Sequence, residues 1–337
     1  MTSHAVALVG SGAIAEQHLG ALLDLKARVA VVYSRTAEKA KKLAERAGCG
    51  WTTDWREAVR HPEVDLVDVV TSSGSHAEIG LGALDAGKHL LVEKPLAMTT
   101  ADVDRLLARA TEKRRMVSVV SQRRFEEQHV AVKKALDEGA IGKLLLAEVS
   151  CPYYRTQAYY DSADWRGKIA TDGGALMNQS IHSIDLLLWF AGPAASVVAK
   201  TATQTHRMEA EDLALAIVTF RSGAFGTILA STSIQPGFPP ALNLYGEKGT
   251  IKLEGAAVAH WTVPGREKPA VQAPASAGIA DPKLSSHAAH RAQIADVLAA
   301  LDEGRPPSVT GEDGRRAVAL VEAVYRSSAS GAAVSPA

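Results

Sequence analysis

The chain has 337 residues, 37 basic and 37 acidic side chains, 47% hydrophobic and 22% charged residues. That charge balance excludes a protein built to hold nucleic acid or an anionic membrane, since both need an excess of Lys and Arg, and the apolar share excludes global disorder. Cys49 and Cys151 form neither a disulfide framework nor a zinc-ligand pattern. The opening residues lack a charged n-region and a long apolar h-region, and the apolar run 186–191 is far too short to span a bilayer. A reducing, cytoplasmic setting and a small-molecule partner, with no nucleic acid and no membrane, are expected.

Residues 5–9 read as a buried strand and 13–23 as a helix. Residues 29–33 are a second strand, and 37–47 a helix with Lys, Arg and Glu on one face. Further strands are expected at 64–70, 89–92 and 116–120, with helices at 75–86 and 100–113 between them. Such alternation implies an α/β, doubly wound parallel sheet with right-handed crossovers over residues 1–121. Beyond that the rhythm changes. A helix at 125–138, a strand at 144–149 and a helix at 175–190 precede five strands in succession, 196–203, 213–221, 224–232, 241–245 and 250–253. Residues 122–337 are therefore expected to form an α+β domain with a large, mostly antiparallel open sheet. The Pro/Ala/Gly-rich stretch 264–282 reads as a surface loop. Helices at 288–302 and 311–328 follow, broken at Gly304, Pro306 and Pro307.

The first strand runs into Gly10-Ser11-Gly12-Ala13-Ile14-Ala15, the G-x-G-x-x-A dinucleotide fingerprint. Gly10 permits the turn, Gly12 admits a pyrophosphate to the backbone, and Ala15 lets the helix pack closely on the strand. The helix N-terminus, with Ala13 and Ile14, then faces the phosphates. The second strand ends at Tyr33-Ser34-Arg35, without the acid that usually holds the ribose of NAD. Ser34 and Arg35 suit a 2′-phosphate, so the expected cofactor is NADP or NAD, with NADP favoured.

Glu93-Lys94-Pro95 stands at the end of the fourth strand, where ligands bind in open parallel sheets. Lys94 can polarise a substrate oxygen there. In the segment 172–185, two glycines open a helix on which Asn178, His182 and Asp185 fall at i, i+4 and i+7. His182 can exchange a proton, Asp185 can fix its tautomer, and Asn178 can hydrogen-bond a hydroxyl.

These motifs together resemble the glucose-fructose oxidoreductase / inositol dehydrogenase / MocA (Gfo/Idh/MocA) family. The resemblance adds Thr71 and Ala77 after the third strand, with His76 beside them, then Gly173-Gly174, Gly246-Glu247-Lys248-Gly249-Thr250 and Gly304-Arg305-Pro306-Pro307. It covers essentially the whole chain. It implies an N-terminal Rossmann domain, and a C-terminal sheet that joins copies into a homodimer or homotetramer. It further implies NAD(P)-dependent hydride transfer at a secondary alcohol or ketone of a sugar, glycoside or inositol. By this resemblance Lys94 touches cofactor and substrate, His182 carries the hydroxyl proton, and Gly10, Gly12, Thr71, Ser72, His76 and Glu93 line the cofactor. Asn178 stands where Asp is commonest in the family. An amide is no base, so His182 carries proton transfer with Lys94 supporting the alkoxide. Some relatives acting on nucleotide-linked hexuronates also have Asn here.

Residues 153–166 concentrate aromatics in a chain with 5% of them. The resemblance puts Trp165 and Arg166 near the nicotinamide. Tyr153 and Tyr154 are candidate walls for a pyranose, with Gln179 and Arg123 as further substrate contacts. His287 and His290 look like half a metal site with no third ligand nearby in sequence, so no metal is expected. Tyr325 reads as core. Two other readings stand beside the dehydrogenase: a redox-assisted NAD-dependent glycosidase of the same superfamily, and a non-catalytic NAD(P)-binding regulator, against which the presence of both Lys94 and His182 argues.

Overall fold

Apolar runs with no polar face become strands covered on both sides. In chain order the computed structural model, which describes residues 4–270 and 287–336, begins with β1 (Ala5–Val9), α1 (Ala13–Asp24), β2 (Arg28–Tyr33), α2 (Ala37–Ala47), β3 (Gly50–Thr52), α3 (Trp55–Arg60), β4 (Leu66–Val69), α4 (His76–Asp85), β5 (His89–Val92), α5 (Thr100–Lys113) and β6 (Val117–Val119). All neighbouring strands are parallel, in the order β3-β2-β1-β4-β5-β6. The order reverses between β1 and β4, which places the ligand crevice at the carboxyl ends of those strands. β1 and β4 are buried at every position. The sequence reading missed β3 and α3.

The chain continues with α6 (Glu127–Asp137), β7 (Leu144–Pro152), α7 (Gln157–Tyr160), a π-helical turn at Ala175–Ser180, α8 (Ile181–Ala191), β8 (Ala194–Ala202), β9 (Leu213–Phe220), β10 (Phe225–Ser231), β11 (Ala241–Gly246), β12 (Thr250–Glu254), β13 (Ala257–Thr262), α9 (Ala288–Glu303) and α10 (Gly311–Ser330). Seven strands lie in the order β13-β12-β11-β7-β10-β9-β8, antiparallel throughout except for β7 with β10. This is the mostly antiparallel sheet expected, with β13 added at its edge. Strand β9 alternates strictly. Ala214, Ala216, Val218 and Phe220 are buried, while Leu215 and Ile217 stand exposed on the other face. At the opposite edge β8 is closed: the Ala199 and Thr201 N–H groups donate to Ser327 Oγ (3.0 Å) and Ser328 Oγ (2.8 Å) of α10, and Val197 pairs with Val334.

The chain divides into two units, Met1–Gln122 with Asp281–Arg315, and Arg123–Ala280 with Arg316–Ala337. The sequence reading puts everything from 122 onward in one domain; by its packing, α9 joins the first unit. Ile294, Val297 and Leu298 of α9 join Val6, Leu8, Leu19 and Leu22 in one core. Gln293 satisfies the end of β6, accepting the Ser121 N–H (2.9 Å) and donating to the Val119 carbonyl (2.8 Å). The pattern of α9 shows an apolar face, and only the fold shows which core receives it. Of the expected loop at 264–282, residues 271–282 lie outside the described residues. Among the described residues no helix is long and apolar enough to cross a membrane.

The turn after β1 depends on one glycine. Gly10 has a φ of +140°, and a Cβ there would stand 2.5 Å from the Val70 carbonyl oxygen. Gly10→Ala is expected to cost about 3 kcal/mol, read as a lower denaturation midpoint. Gly12→Ala, whose Cβ meets nothing within 4 Å, should leave the midpoint in place.

Candidate active site

Helix α1 starts at Gly12 with no side-chain cap, so the outward N–H groups of its first turn are available to an anion. Gly12 and Ala13 are exposed, Ile14 is half-buried, and Ala15 is fully buried against the sheet. The space a Cβ would fill at Gly12 is open, as close approach of a pyrophosphate requires. These residues fit a dinucleotide. Ser34 also has partners within the protein. It is buried, its hydroxyl shares a 2.7 Å hydrogen bond with Ser11 Oγ, and it accepts the Thr36 N–H at 3.1 Å. Ser34 therefore ties the glycine turn to the start of α2. Arg35 beside it is the exposed side chain.

At the end of β4, Thr71 and Ser72 are half-buried, with Ser75 Oγ donating to Thr71 Oγ1 (2.8 Å) and to the Ser72 carbonyl (2.8 Å). His76 is wholly buried. Its Nδ1 lies 2.8 Å from the Pro95 carbonyl and its Nε2 3.2 Å from that of Thr71. Burial drives its pKa down. The sequence reading expects His76 to line the cofactor; its ring joins the loop after β4 to the loop after β5.

Glu93 is buried and Lys94 half-buried. The peptide between Lys94 and Pro95 is cis. Glu93 Oε1 lies 3.1 Å from His18 Nε2, and His18 Nδ1 lies 2.8 Å from Asp68 Oδ2. Burial alone would strip His18 of its proton, but the Asp68 carboxylate, helped by Glu93, pushes it up to about 10. Burial likewise works against the Glu93 carboxylate, but the hydrogen bond and charge of His18 hold it down at about 2. His290 Nε2 is 3.8 Å from the same Glu93 oxygen. Ligand atoms of His18, Glu93 and His290 thus lie within 4.8 Å of one another, so His290 does have neighbours of metal-ligand type, which its sequence surroundings do not show.

In the second unit the candidate residues converge around the start of the helix that carries them. Asn178 Nδ2 donates to Asp172 Oδ1, and Asp172 Oδ2 accepts the Gly167 N–H at 2.8 Å. Gln179 Nε2 donates to Tyr159 Oη (3.0 Å) and Asn178 Oδ1 (3.3 Å), while Gln179 Oε1 accepts from Arg155 (2.9 Å). Arg166 donates to Tyr159 Oη (2.6 Å), and its guanidinium lies over the Tyr159 and Trp165 rings. One polar network therefore joins Asp172, Asn178, Gln179, Arg155, Tyr159 and Arg166. His182 is half-buried one turn on.

Several expectations change. Asn178 lies in a π-helical turn and His182 in α8, so the i, i+4, i+7 stripe is broken by an inserted residue, a feature common at functional sites. Asp185 takes a buried bidentate ion pair from Arg124, at 2.8 and 2.6 Å, which anchors α8. Arg123 donates to the Gly255 carbonyl (2.6 Å). Tyr153 packs beside Cys151 and Ser183, and burial drives its pKa well up. Tyr154 is half-buried and bridges to Ser233.

Sequence reasoning also missed Glu211. Its backbone carbonyl accepts the Ala175 N–H (2.9 Å) and its Oε1 the Leu176 N–H (2.8 Å), so it caps the π-turn from below. Gly174 must be glycine, since a Cβ there would meet the Glu211 carbonyl oxygen at 2.1 Å. The hydroxyl of Tyr325, a half-buried residue, bonds Glu211 as well. The one signal in sequence was an acidic pair, Glu211-Asp212, at the mouth of an apolar strand.

With this geometry in place, the comparisons are specific. The family model for the NAD-binding Rossmann fold of the Gfo/Idh/MocA oxidoreductases matches residues 4–121, and that for their C-terminal alpha/beta domain matches residues 133–335. The chain belongs to the Gfo/Idh/MocA oxidoreductase family. Among its relatives, the NADP(+)-dependent scyllo-inositol 2-dehydrogenase IolW of Bacillus subtilis is 29% identical over 73% of this chain and 67% of its own length. The 1,5-anhydro-D-fructose reductase of Ensifer adhaerens is 28% identical over 97% of this chain and 96% of its own. The WlbA dehydrogenase of Bordetella pertussis, solved with NADH and UDP-GlcNAcA, matches with a TM-score of 0.88 at 30% identity, covering 99% of this chain and 98% of that one. The resemblance read from the motifs is met, and the Gfo/Idh/MocA chain is an NAD(P)-binding oxidoreductase.

Burial pushes the Glu211 carboxyl up to about 7 from an ordinary 4.5. Between those values the folded chain holds a proton that the unfolded chain has lost, so stability falls as pH rises through that window. Denaturation of the wild type between pH 5 and pH 8, compared with Glu211→Gln, should show a loss on the order of 2–3 kcal/mol that the variant lacks.

Proposed function

We propose that the chain is a dehydrogenase or reductase that moves a hydride between NAD(P) and a secondary alcohol or ketone of a sugar, glycoside or inositol. The observation that carries this reading is the fixed polar wall of the π-turn, where Asp172 orients the Asn178 amide and Arg155 with Tyr159 orients Gln179, one turn before His182. Such a wall suits a polyhydroxylated substrate, because every donor and acceptor has a set direction before the substrate arrives. When bound, the nicotinamide supplies a hydride acceptor or donor at C4. His182 takes the hydroxyl proton in oxidation and returns it in reduction, Lys94 stabilises the negative charge developing on that oxygen, and Asn178 hydrogen-bonds it without titrating.

The same reading assigns the phosphates to Gly10, Gly12, Ala13 and Ile14, and the nicotinamide half to Thr71, Ser72, Glu93, Lys94, Trp165 and Arg166. His76 acts there through the loops it joins. Arg35 favours NADP, and the NADP(+)-dependent relative supports that choice. Asn178, together with the likeness to a dehydrogenase solved with UDP-GlcNAcA, puts nucleotide-linked sugar acids first among substrates to try. A cytoplasmic location suits Cys49 and Cys151, which form no disulfide.

We also assign the open sheet face to self-association. Val198, Leu215, Ile217 and Phe225 are 48, 53, 61 and 58% exposed on adjacent strands, an apolar patch of the kind that marks a subunit interface. A second copy presenting the same face makes a homodimer or a homotetramer. Leu215→Glu with Ile217→Glu should reduce the sedimenting mass to that of a monomer.

Nicotinamide absorbance followed with sugars, glycosides, inositols and nucleotide sugars, each with both cofactors, tests the function. One substrate class should turn over. Lys94→Ala and His182→Ala should each lower kcat by about 100-fold or more while NADPH still raises the Tm. His182→Ala with wild-type kcat would refute its role in proton transfer. Arg35→Ala should raise the KM for NADP about tenfold and leave that for NAD unchanged.

A further inference from the structure

A charged side chain in the middle of a doubly covered parallel strand is costly unless a neighbour answers it. Asp68 is such a residue, 1% exposed within β4. Its answer is His18, fully buried on α1, whose second nitrogen reaches Glu93 at the end of β5. Glu93 Oε2 in turn accepts the Lys94 peptide N–H at 3.1 Å. The chain Asp68–His18–Glu93 thus links three elements and terminates on the backbone of the proposed catalytic lysine.

We propose that His18, bridging Asp68 and Glu93, is a positioning residue for Lys94. Holding one oxygen of Glu93 leaves the other aimed at the Lys94 peptide, which fixes where the lysine leaves the strand. The inference rests on the reading of Lys94 as the residue that touches substrate. Both bridging bonds require a proton on each ring nitrogen, so the device works only while His18 is a cation, and its two carboxylate partners keep it one well above neutral pH. A cation of this kind has no lone pair for a metal, although His18, Glu93 and His290 lie close enough to share one.

The groups facing the bridge are Asp68 from β4, Glu93 from the end of β5 and His290 from α9, whose ring centroid is 5.2 Å from that of His18. Lys94 and His76 also act on Glu93 electrostatically. Raising the pH removes the His18 proton, breaks one of the two bonds and leaves two buried carboxylates with less positive charge between them. Activity should therefore fall on the alkaline side. Removing one carboxylate loosens the proton and moves that fall to lower pH.

The test uses Asp68→Asn, which keeps the shape of the side chain and lies away from cofactor and substrate. Imidazole 15N shifts of His18 in the full-length protein and the pH profile of kcat on the sugar that the panel selects are measured for wild type and variant. In the wild type His18 should stay a cation to about pH 9. In the variant its titration and the alkaline limb of kcat should move down together, by about one pH unit or more, with Kd for NADPH unchanged. A limb that stays in place, or a His18 that titrates near neutral pH in the wild type, overturns the proposal. His18→Gln provides a second reading, since it should lower kcat about tenfold or more across the whole pH range with NADPH binding kept; wild-type kcat there also overturns it. Full activity in Lys94→Ala would instead overturn the assignment of Lys94, so the two failures are distinguishable.

Discussion

A parallel sheet covered on both faces admits charge only as a closed set, and the first unit is arranged around that constraint. β1 and β4 are buried at every position. The polar residues with chemistry in them are displaced to the carboxyl ends of the strands: the glycine turn after β1, Ser34 after β2, Thr71 and Ser72 after β4, Glu93 and Lys94 after β5. Asp68 is the one carboxylate within these strands, and it lies against His18. The result is a crevice in which the Glu93 carboxylate is held by a buried partner, so its direction is set before any ligand arrives.

The second unit meets a different constraint. Its sheet is buried on one face only, so one side packs against the helical layer and the other is left apolar and open. The helix carrying Asn178 and His182 has to start inside that buried layer, where orphan N–H groups are expensive. Glu211 meets that need with a carbonyl and a carboxyl oxygen, and Gly174 makes room for it. The extra residue of the π-turn follows directly and turns Asn178 towards Asp172. A site that looks like a helix face in sequence is in fact a helix beginning, built on a residue 35 positions away.

Much was legible in the residues themselves. The β1 run, the glycine turn and the strand-helix alternation give the first sheet, because a doubly covered strand has an unmistakable composition and Gly10 sits where no other residue fits. The antiparallel run gives the second sheet through its alternation. What was not legible is long-range. β3 has three residues and is a strand only because β2 lies beside it. The placement of α9 depends on which core has room for Ile294 and Val297. Ser34 is held by Ser11, which its sequence surroundings do not show, and Asp185, read as a partner for histidine, gives both its oxygens to Arg124, 61 residues earlier. In each case the partner is set by the tertiary fold.

The proposed reaction is direct hydride transfer between C4 of the nicotinamide and a carbon of the sugar ring. NADPH deuterated at C4 on either face, incubated with the ketone form of the selected substrate and followed by NMR of the product, tests it most directly. The label from one face should appear on a single secondary carbon of the product, with the other face silent and no label entering from deuterated water at that carbon. Label lost to solvent, or a product carrying none from either face, would contradict it.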